Sequence, residues 1–347
     1  MIKKIISLFI LFSMIIALSP ITMSKSEAAG SKKINILFIG NSKTYYNNMP
    51  AMLGNMLTKS GEKINYKVLV KGSMSLNFHY HYIKEHEEQI KSLFNDEKID
   101  YVILNEQTDV QLAPFGTRYD SKKTFKKKRI FGNLSEDAKR VLTRLHTYGM
   151  IDKKKTKIIL NATWNYADDL EDIDITNENF KKTKQVIQNA GYKNCEIAYS
   201  GTVIKNVSTE MDKVNGILTK QELFLDENKP RNKHTTQVGS YIEALAIYRA
   251  MFDSNMVANY AGSVSAEKMQ QSIDKYVKIE DFIYKGLPYS NEENYMEKAF
   301  NEPKLPKVKD YQNIIKFVNK ALDKKIKEEK EEEKEEEIVE SFDKKSK

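Results

Sequence analysis

A serine and a histidine that lie far apart in the chain are the side chains best suited to chemistry. Ser42 follows the apolar run Ile34–Ile39, which is typical of a strand buried on both faces of a parallel α/β sheet. Such sheets place their ligands beyond the carboxyl ends of the strands, so the Ser42 hydroxyl is predicted to face a cleft. His234 lies in a polar loop before an apolar helix and is the candidate base for the hydroxyl proton. Together, the two side chains could attack an acyl carbonyl.

Acyl transfer by a serine also needs donors for the developing oxyanion, held in a fixed geometry. The ends of successive parallel strands can supply them: Gly72 follows the second predicted strand, and Asn105 follows the third. Structural interpretations stand beside these roles, because Ser42 could cap a helix, Gly72 could permit a turn and Asn105 could bind loop backbone groups. His234 taken alone is typical of a solvated loop. The order of the four residues along the chain favours a site.

Strand and helix patterns alternate from residue 34 to about residue 252. Strands are predicted at 34–39, 64–70, 99–104, 157–160 and 196–199. Helices are predicted at about 48–61, 76–94, 135–148, 177–190 and 240–252, with Ser135 as the N-cap of the third. Strands separated by helices pair in parallel through right-handed crossovers. The pattern therefore predicts a three-layer α/β/α sandwich with a central parallel sheet and a C-terminal helical extension.

Five segments resemble a branch of the bacterial SGNH, or GDSL-like, hydrolases. In chain order they are LFIGNSKTYYNNMP, KGSMSLNFHY, YVILNEQTDV, NATWNY and HTTQVGSYIEALAIY. The first contains Gly40-Asn41-Ser42, where Asn41 stands in place of the Asp that is usual in this family. The resemblance spans residues 34 to 252 and implies a flavodoxin-like SGNH fold and a serine esterase activity without a cofactor. The expected substrates are acyl esters, above all O-acetyl esters of extracellular or cell-wall carbohydrate.

The resemblance also implies roles for particular residues. Ser42 would be the nucleophile and His234 the general base. The oxyanion hole would consist of the backbone N–H groups of Ser42 and Gly72 and the side chain of Asn105. Gln107 lies in the same loop as Asn105 and is the alternative side-chain donor.

Two departures from the family pattern concern the histidine. The family places an Asp three residues before it, but this chain has Arg231 there, and Thr235 replaces the proline that usually follows. Asp226 lies eight residues before His234 and is the candidate acid if the intervening loop folds back. The alternative is a non-catalytic cell-surface binding protein on a degenerate SGNH scaffold, which the loss of the acid would suit.

Four more residues are candidates for lining the substrate cleft: Asn41, His79, Gln107 and Trp164. Trp164 could be a platform for sugar stacking or an ordinary core aromatic. His79 and His86 are seven residues apart and would share a helix face, but no HExxH-type motif accompanies them. No metal site is therefore predicted, and His79 is expected to line or support the cleft.

The N-terminus has the pattern of a secretory signal peptide, with Lys3 and Lys4 before an apolar stretch and small residues near Ala28. A secreted or cell-wall-associated protein is therefore expected, and an uncleaved membrane anchor is the alternative. Cys195 is the only cysteine, so no disulfide can form within the chain. The predicted segments are the signal peptide (1–28), an SGNH-hydrolase-like domain (29–260), a helical extension (261–322) and a Lys/Glu-rich tail (323–347), solvated or disordered.

The formal net charge is +8, and the basic surplus is concentrated in a cluster between residues 122 and 129. Its members are Lys122, Lys123, Lys126, Lys127, Lys128 and Arg129. A solvated lysine loop is the favoured interpretation, and affinity for an anionic cell-wall polymer is the alternative. No nucleic-acid-binding module is recognisable, so no specific nucleic-acid partner is expected.

Overall fold

The computed structural model describes residues 33–59, 63–120, 131–166, 170, 172–211, 223–224, 234–252 and 308–345. The predicted signal peptide, Asp226, Arg231, the basic cluster at 122–129 and most of the predicted helical extension lie outside the described residues.

A five-stranded parallel sheet forms the centre of the described fold. Its strands are β1 (Lys33–Gly40), β2 (Lys63–Val70), β3 (Tyr101–Leu104), β6 (Lys157–Asn161) and β7 (Cys195–Ala198). They pair in the order β2-β1-β3-β6-β7. The short strands β4 (Tyr119–Asp120) and β5 (Phe131–Gly132) form a separate antiparallel pair. The chain reverses its direction of travel across the sheet between β1 and β3, and this is where open α/β sheets bind ligands.

Helices cover both faces of this sheet. They are α1 (Ser42–Tyr45), α2 (Met49–Lys59), α3 (Leu76–Glu85), α4 (Glu87–Lys91), α5 (Thr108–Gln111), α6 (Leu134–Thr147), α7 (Ile173–Asn189), α8 (Ser200–Met211), α9 (Gln237–Phe252) and α10 (Val308–Lys345). A 3-10 turn, Tyr46–Asn48, joins α1 to α2, and another lies at Ser92–Phe94. Helices α3, α6 and α7 pack in one layer, whereas α9 packs against α2 and α8 in the other. The predicted three-layer α/β/α fold is confirmed.

The strands are apolar because both of their faces are covered. The central segments 36–39, 102–104 and 158–160 are at most 1% exposed. A sheet with helices on both faces leaves no solvated side, so its strands show continuous apolar runs instead of alternation. This burial is what made the strands recognisable in the sequence.

Two details of the predicted helices are wrong. The N-cap of α6 is Asn133, whose side chain accepts a hydrogen bond from the Glu136 N–H at 3.1 Å, whereas Ser135 lies inside the helix. The long helix predicted at 76–94 is interrupted at His86, whose φ of −121° and ψ of 40° are not helical. Asn133 can cap the helix because its own backbone is still extended, as an N-cap requires.

The C-terminal helix α10 continues from an apolar segment into the Lys/Glu-rich run without a break. Its first half packs on the domain through buried side chains, namely Ile314, Ile315, Val318, Ala321 and Leu322. Arg249 of α9 binds Asn319 at 3.0 Å and pairs with Asp323. Lys181 pairs with Glu332 further along α10. Within the described part of the chain, no helix has the length and apolar character needed to cross a membrane.

Candidate active site

Ser42 and His234 meet at the carboxyl edge of the sheet. Strand β1 ends at Gly40, and α1 begins at Ser42, with Asn41 capping it through a 3.2 Å hydrogen bond from the Lys43 N–H. The Oγ atom of Ser42 lies 3.0 Å from Nε2 of His234, although 192 residues separate the two in the chain. An imidazole protonated on Nδ1 accepts the Ser42 proton at Nε2. This is the contact that a general base needs.

The residues that follow His234 are held by backbone contacts with the segment 223–224. Thr235 forms an isolated antiparallel bridge with Phe224. The Thr236 N–H donates to the Leu223 carbonyl at 3.0 Å. The His234 ring itself stacks on Tyr46, with ring centroids 3.9 Å apart and planes 3° apart. Asp226 and Arg231 lie outside the described residues, so the predicted acid stays a prediction.

The three candidate oxyanion donors follow strands that pair in register. Gly40 is paired with Val70, so Ser42 and Gly72 each lie two residues beyond a paired position. The backbone N–H of Asn105 donates to the Ile39 carbonyl at 2.9 Å. A Cβ atom on Gly40 would lie 2.9 Å from Cβ of Asn105, so only glycine allows this close approach.

Asn105 differs from Gln107 in what its side chain binds. Asn105 is 1% exposed, and neither its amide nitrogen nor its amide oxygen has a hydrogen-bond partner among the described residues. The Gln107 side chain caps α5 instead, accepting from the N–H groups of Asp109 at 2.7 Å and Val110 at 3.1 Å. A buried polar group without a partner costs about 1–3 kcal/mol. The geometry therefore favours Asn105 as the side-chain donor for a bound ligand.

His79 binds the backbone at the end of β1, just before the turn that carries Ser42. Its Nε2 atom lies 2.6 Å from the Gly40 carbonyl oxygen, and the residue is fully buried. Burial lowers the pKa of His79 to about 4, and the nearby charge of Lys71 acts in the same direction. A neutral imidazole donates its Nε2–H to the carbonyl. His79 therefore holds the backbone just before Ser42.

Glu106 was not singled out in the sequence, yet it joins two parts of the site. Its Oε1 atom accepts from the N–H groups of Leu76 at 3.0 Å and Gln107 at 2.6 Å. Burial raises the pKa of this carboxyl to about 8. The bond to Leu76 caps the start of α3 from the loop after β3, and Ser75 makes no side-chain cap bond. Glu106 thus ties the Asn105 loop to the helix that follows Gly72.

Trp164 is fully buried and belongs to the core. Its ring packs edge-on against Phe224, with centroids 6.2 Å apart, and the Lys43 ammonium lies 5.1 Å from its centroid. The Nζ atom of Lys43 also donates to Thr163 Oγ1 at 3.2 Å and to the Trp164 carbonyl. The burial favours the core aromatic over the sugar platform. A buried lysine directly after the candidate nucleophile is a feature that sequence reasoning missed.

A second buried polar cluster lies further along the sheet. Asn161 donates to the Glu243 carboxylate at 2.7 Å and accepts from the Ser200 hydroxyl at 2.6 Å. Burial raises the pKa of Glu243 to about 8, against the opposing charge of Lys43. Within the described residues, no group of three His, Cys, Asp or Glu side chains is placed to hold a metal ion.

No protein-family model matches the chain, and no curated protein matches it. Solved structures with similar folds do exist. A DUF4886 family protein from Bacteroides uniformis is 18% identical with a TM-score of 0.42, the match covering 72% of this chain and 96% of that one. A candidate SGNH hydrolase from Slackia heliotrinireducens is 17% identical with a TM-score of 0.40, covering 63% and 100%.

The acetyl xylan esterase Axe2 from Geobacillus stearothermophilus is 16% identical with a TM-score of 0.40, and the match covers 66% of this chain and 98% of that one. SGNH hydrolases and esterases are thus among the solved structures to which the fold of this chain is similar. Likeness at this level assigns no activity. The function proposed below rests on the residues of this chain.

Proposed function

We propose that the protein is an SGNH-type serine esterase that hydrolyses acyl esters, with Ser42 as nucleophile and His234 as general base. The observation that carries the proposal is the 3.0 Å contact between Ser42 Oγ and His234 Nε2. Ser42 is 5% exposed and follows the strand where the sheet order reverses, which supports the proposal because open α/β sheets bind ligands there.

In the proposed reaction, Oγ of Ser42 attacks the ester carbonyl carbon while its proton passes to Nε2 of His234. The tetrahedral intermediate collapses when the C–O bond to the alcohol breaks, and the alcohol leaves with the proton from His234. Water then attacks the acyl carbonyl and gives a proton to Nε2 of His234. The bond between the acyl carbon and Ser42 Oγ breaks, His234 returns the proton to Oγ, and the carboxylic acid is released. Atoms balance with water as the only second substrate.

The oxyanion would accept hydrogen bonds from the backbone N–H groups of Ser42 and Gly72 and from Nδ2 of Asn105. The Asn105 amide suits this role because it is buried without a partner among the described residues. Donors that are fixed before the reaction need no reorganisation when the charge develops, and one such donor is worth about 3 kcal/mol.

For the substrate, we infer a small acyl group such as acetyl on an extracellular or cell-wall carbohydrate. The predicted signal peptide supports an extracellular site of action, and the family resemblance of the motifs supports ester substrates. An acetylated polysaccharide would present its acyl groups outside the cell, where a secreted esterase could reach them.

The experiment that tests the proposal is hydrolysis of p-nitrophenyl acetate and butyrate by the mature protein and by Ser42→Ala. We expect turnover that the substitution lowers by about 10⁴-fold or more, because the reaction loses its nucleophile. A fluorophosphonate should label the parent at Ser42 and leave the variant unlabelled. Equal background rates in both proteins, with no labelling, would favour the binding protein on a degenerate scaffold.

A further inference from the structure

The candidate base needs something to hold its ring, and Tyr46 is the side chain that contacts its face. The two rings are stacked with centroids 3.9 Å apart and planes only 3° apart. Tyr46 is 8% exposed and lies four residues after Ser42, in the 3-10 turn that follows α1. Stacking on a buried, fixed ring restricts the plane in which the imidazole can lie.

The next residue, Asn47, binds the loop that carries the histidine. Its Nδ2 atom donates to the Thr235 carbonyl at 2.7 Å and to Ser240 Oγ at 2.9 Å. Thr235 is adjacent to His234, and Ser240 lies in the helix α9 that follows. Asn47, Thr235 and Ser240 are each at most 1% exposed, so water does not compete for these hydrogen bonds.

Two further hydrogen bonds of Ser240 join the histidine loop to the turn that contains Tyr46. Ser240 Oγ lies 2.9 Å from Thr235 Oγ1 and donates to the Tyr46 carbonyl at 3.4 Å. Asn47 reaches both partners from a left-handed backbone conformation, with φ of 51° and ψ of 20°. This conformation is one that asparagine tolerates better than most residues, and it turns the side chain towards the loop.

We propose that Tyr46 and Asn47 are positioning residues that hold the His234 imidazole against Ser42. The catalytic consequence of this inference rests on the proposed function. Tyr46 fixes the plane of the ring, and Asn47 fixes the loop from which the ring projects. The chain segment that carries the nucleophile therefore also orients the base.

Asn48 provides a matched control. Its φ is also 51°, it is 2% exposed, and its Nδ2 atom has no hydrogen-bond partner among the described residues. Glycine adopts a positive φ without strain, so Asn47→Gly and Asn48→Gly are matched in their φ requirement. Among the described residues, Asn47→Gly removes two hydrogen bonds, to Thr235 and Ser240, whereas the Nδ2 atom of Asn48 makes none.

We expect Asn47→Gly to lower kcat for p-nitrophenyl acetate by about 10- to 100-fold with KM within about twofold, since a base displaced by a fraction of an ångström loses alignment. Asn48→Gly should keep kcat within about twofold of the parent. Thermal unfolding of both variants separates a loss of positioning from a loss of fold. Equal loss of kcat in the two variants would overturn the assignment of Asn47.

A second pair of variants tests Tyr46 and does not depend on turnover. The chain has five histidines, so the ring protons of His234 can be assigned by NMR from the signal that a His234→Asn variant lacks. A ring stacked at 3.9 Å shifts those protons upfield. Tyr46→Phe should keep the upfield shift and kcat, whereas Tyr46→Leu should lose the shift and lower kcat by about 10-fold.

The two readouts separate failure of this inference from failure of the proposed function. An inactive parent that the fluorophosphonate does not label would refute the esterase, yet the His234 resonances would still report whether Tyr46 and Asn47 hold the ring. Unchanged His234 ring shifts in Tyr46→Leu would refute the positioning role, even in an active enzyme. If Asn47→Gly does not fold, the Tyr46 pair decides the question.

Discussion

Two serines of this protein occupy equivalent places in the fold and have opposite surroundings. Strand β1 ends at Gly40 and a helix begins at Ser42, whereas β7 ends at Ala198 and a helix begins at Ser200. Each serine is therefore two residues beyond a parallel strand and is the first residue of a helix. Secondary structure alone does not distinguish them.

Their partners distinguish them. Ser42 Oγ is 3.0 Å from the His234 imidazole and 5% exposed, while Ser200 Oγ donates to Asn161 at 2.6 Å and is fully buried. An imidazole can accept a proton near neutral pH, but an amide oxygen cannot. In addition, β1 is internal where the sheet order reverses, whereas β7 is at the edge of the sheet that the described residues form. A strand-end serine becomes a candidate nucleophile only where the tertiary fold brings a base within hydrogen-bond distance of it.

The largest difference in kcat is expected between two separate variants, Ser42→Ala and Ser200→Ala. Ser42→Ala is expected to abolish turnover of p-nitrophenyl acetate, whereas Ser200→Ala should keep kcat within about threefold. Ser200→Ala leaves the Asn161 oxygen without its donor, so it should instead lower the free energy of unfolding by about 1–3 kcal/mol. Urea unfolding and steady-state kinetics of both variants check this. A Ser200→Ala enzyme as inactive as Ser42→Ala, yet equally stable, would contradict the comparison.

The second prediction compares the asparagines near the two serines. Asn105 has no side-chain partner among the described residues, whereas Asn161 bonds both Ser200 and Glu243. Asn105→Ala should therefore lower kcat by about 10²- to 10³-fold with little loss of stability. Asn161→Ala should lower the free energy of unfolding by about 1–3 kcal/mol and should change kcat less than Asn105→Ala does. The reverse pattern in kinetics and urea unfolding would place the oxyanion donor elsewhere.

The smallest effect concerns pH and the buried carboxyl of Glu243. Burial raises its pKa in the folded protein to about 8, above the ordinary value of 4.5, so the folded state holds its proton more tightly than the unfolded state does. Glu243 therefore makes stability fall as pH rises from about 4.5 to about 8, by up to about 1.4 kcal/mol per pH unit. Glu106, with a pKa of about 8, acts with the same sign.

His79 has the opposite sign, because burial lowers its pKa in the folded protein from the ordinary 6.5 to about 4. Its contribution to stability therefore rises with pH between those values. Between pH 6.5 and 8, His79 is mostly neutral in both states, so the pH dependence of stability there reports the two buried carboxyls, Glu243 and Glu106. There, Glu243→Gln should remove about half of the downward slope of unfolding free energy against pH. Glu88→Gln, a substitution at a side chain 89% exposed, is the control and should leave the slope unchanged. An equal slope in parent and Glu243→Gln would contradict the prediction.

The strands and helices of the fold could be predicted from the sequence better than the residues at which the helices begin and end. Strands such as Ile34–Ile39 were predictable because burial on both faces demands continuous apolar residues, and helix α6 was predictable from its periodicity. The N-cap of that helix was predicted at Ser135 but is Asn133, since both residue types can cap and only the backbone conformation decides. The composition of the Lys/Glu-rich run from residue 323 fits either a solvated helix or a disordered tail. In the structure, residues 323–345 continue helix α10.

By itself, the sequence determined the alternation of strands and helices and hence which polar residues follow strand ends, because local hydrophobic patterns report burial. The tertiary structure alone decided which of those residues meet. It brought His234 to Ser42 and not to Ser200, left Asn105 without a partner among the described residues, and buried Lys43 and Glu243 in the core. Contacts between residues some 200 positions apart depend on sheet order and loop packing, and no local pattern encodes them.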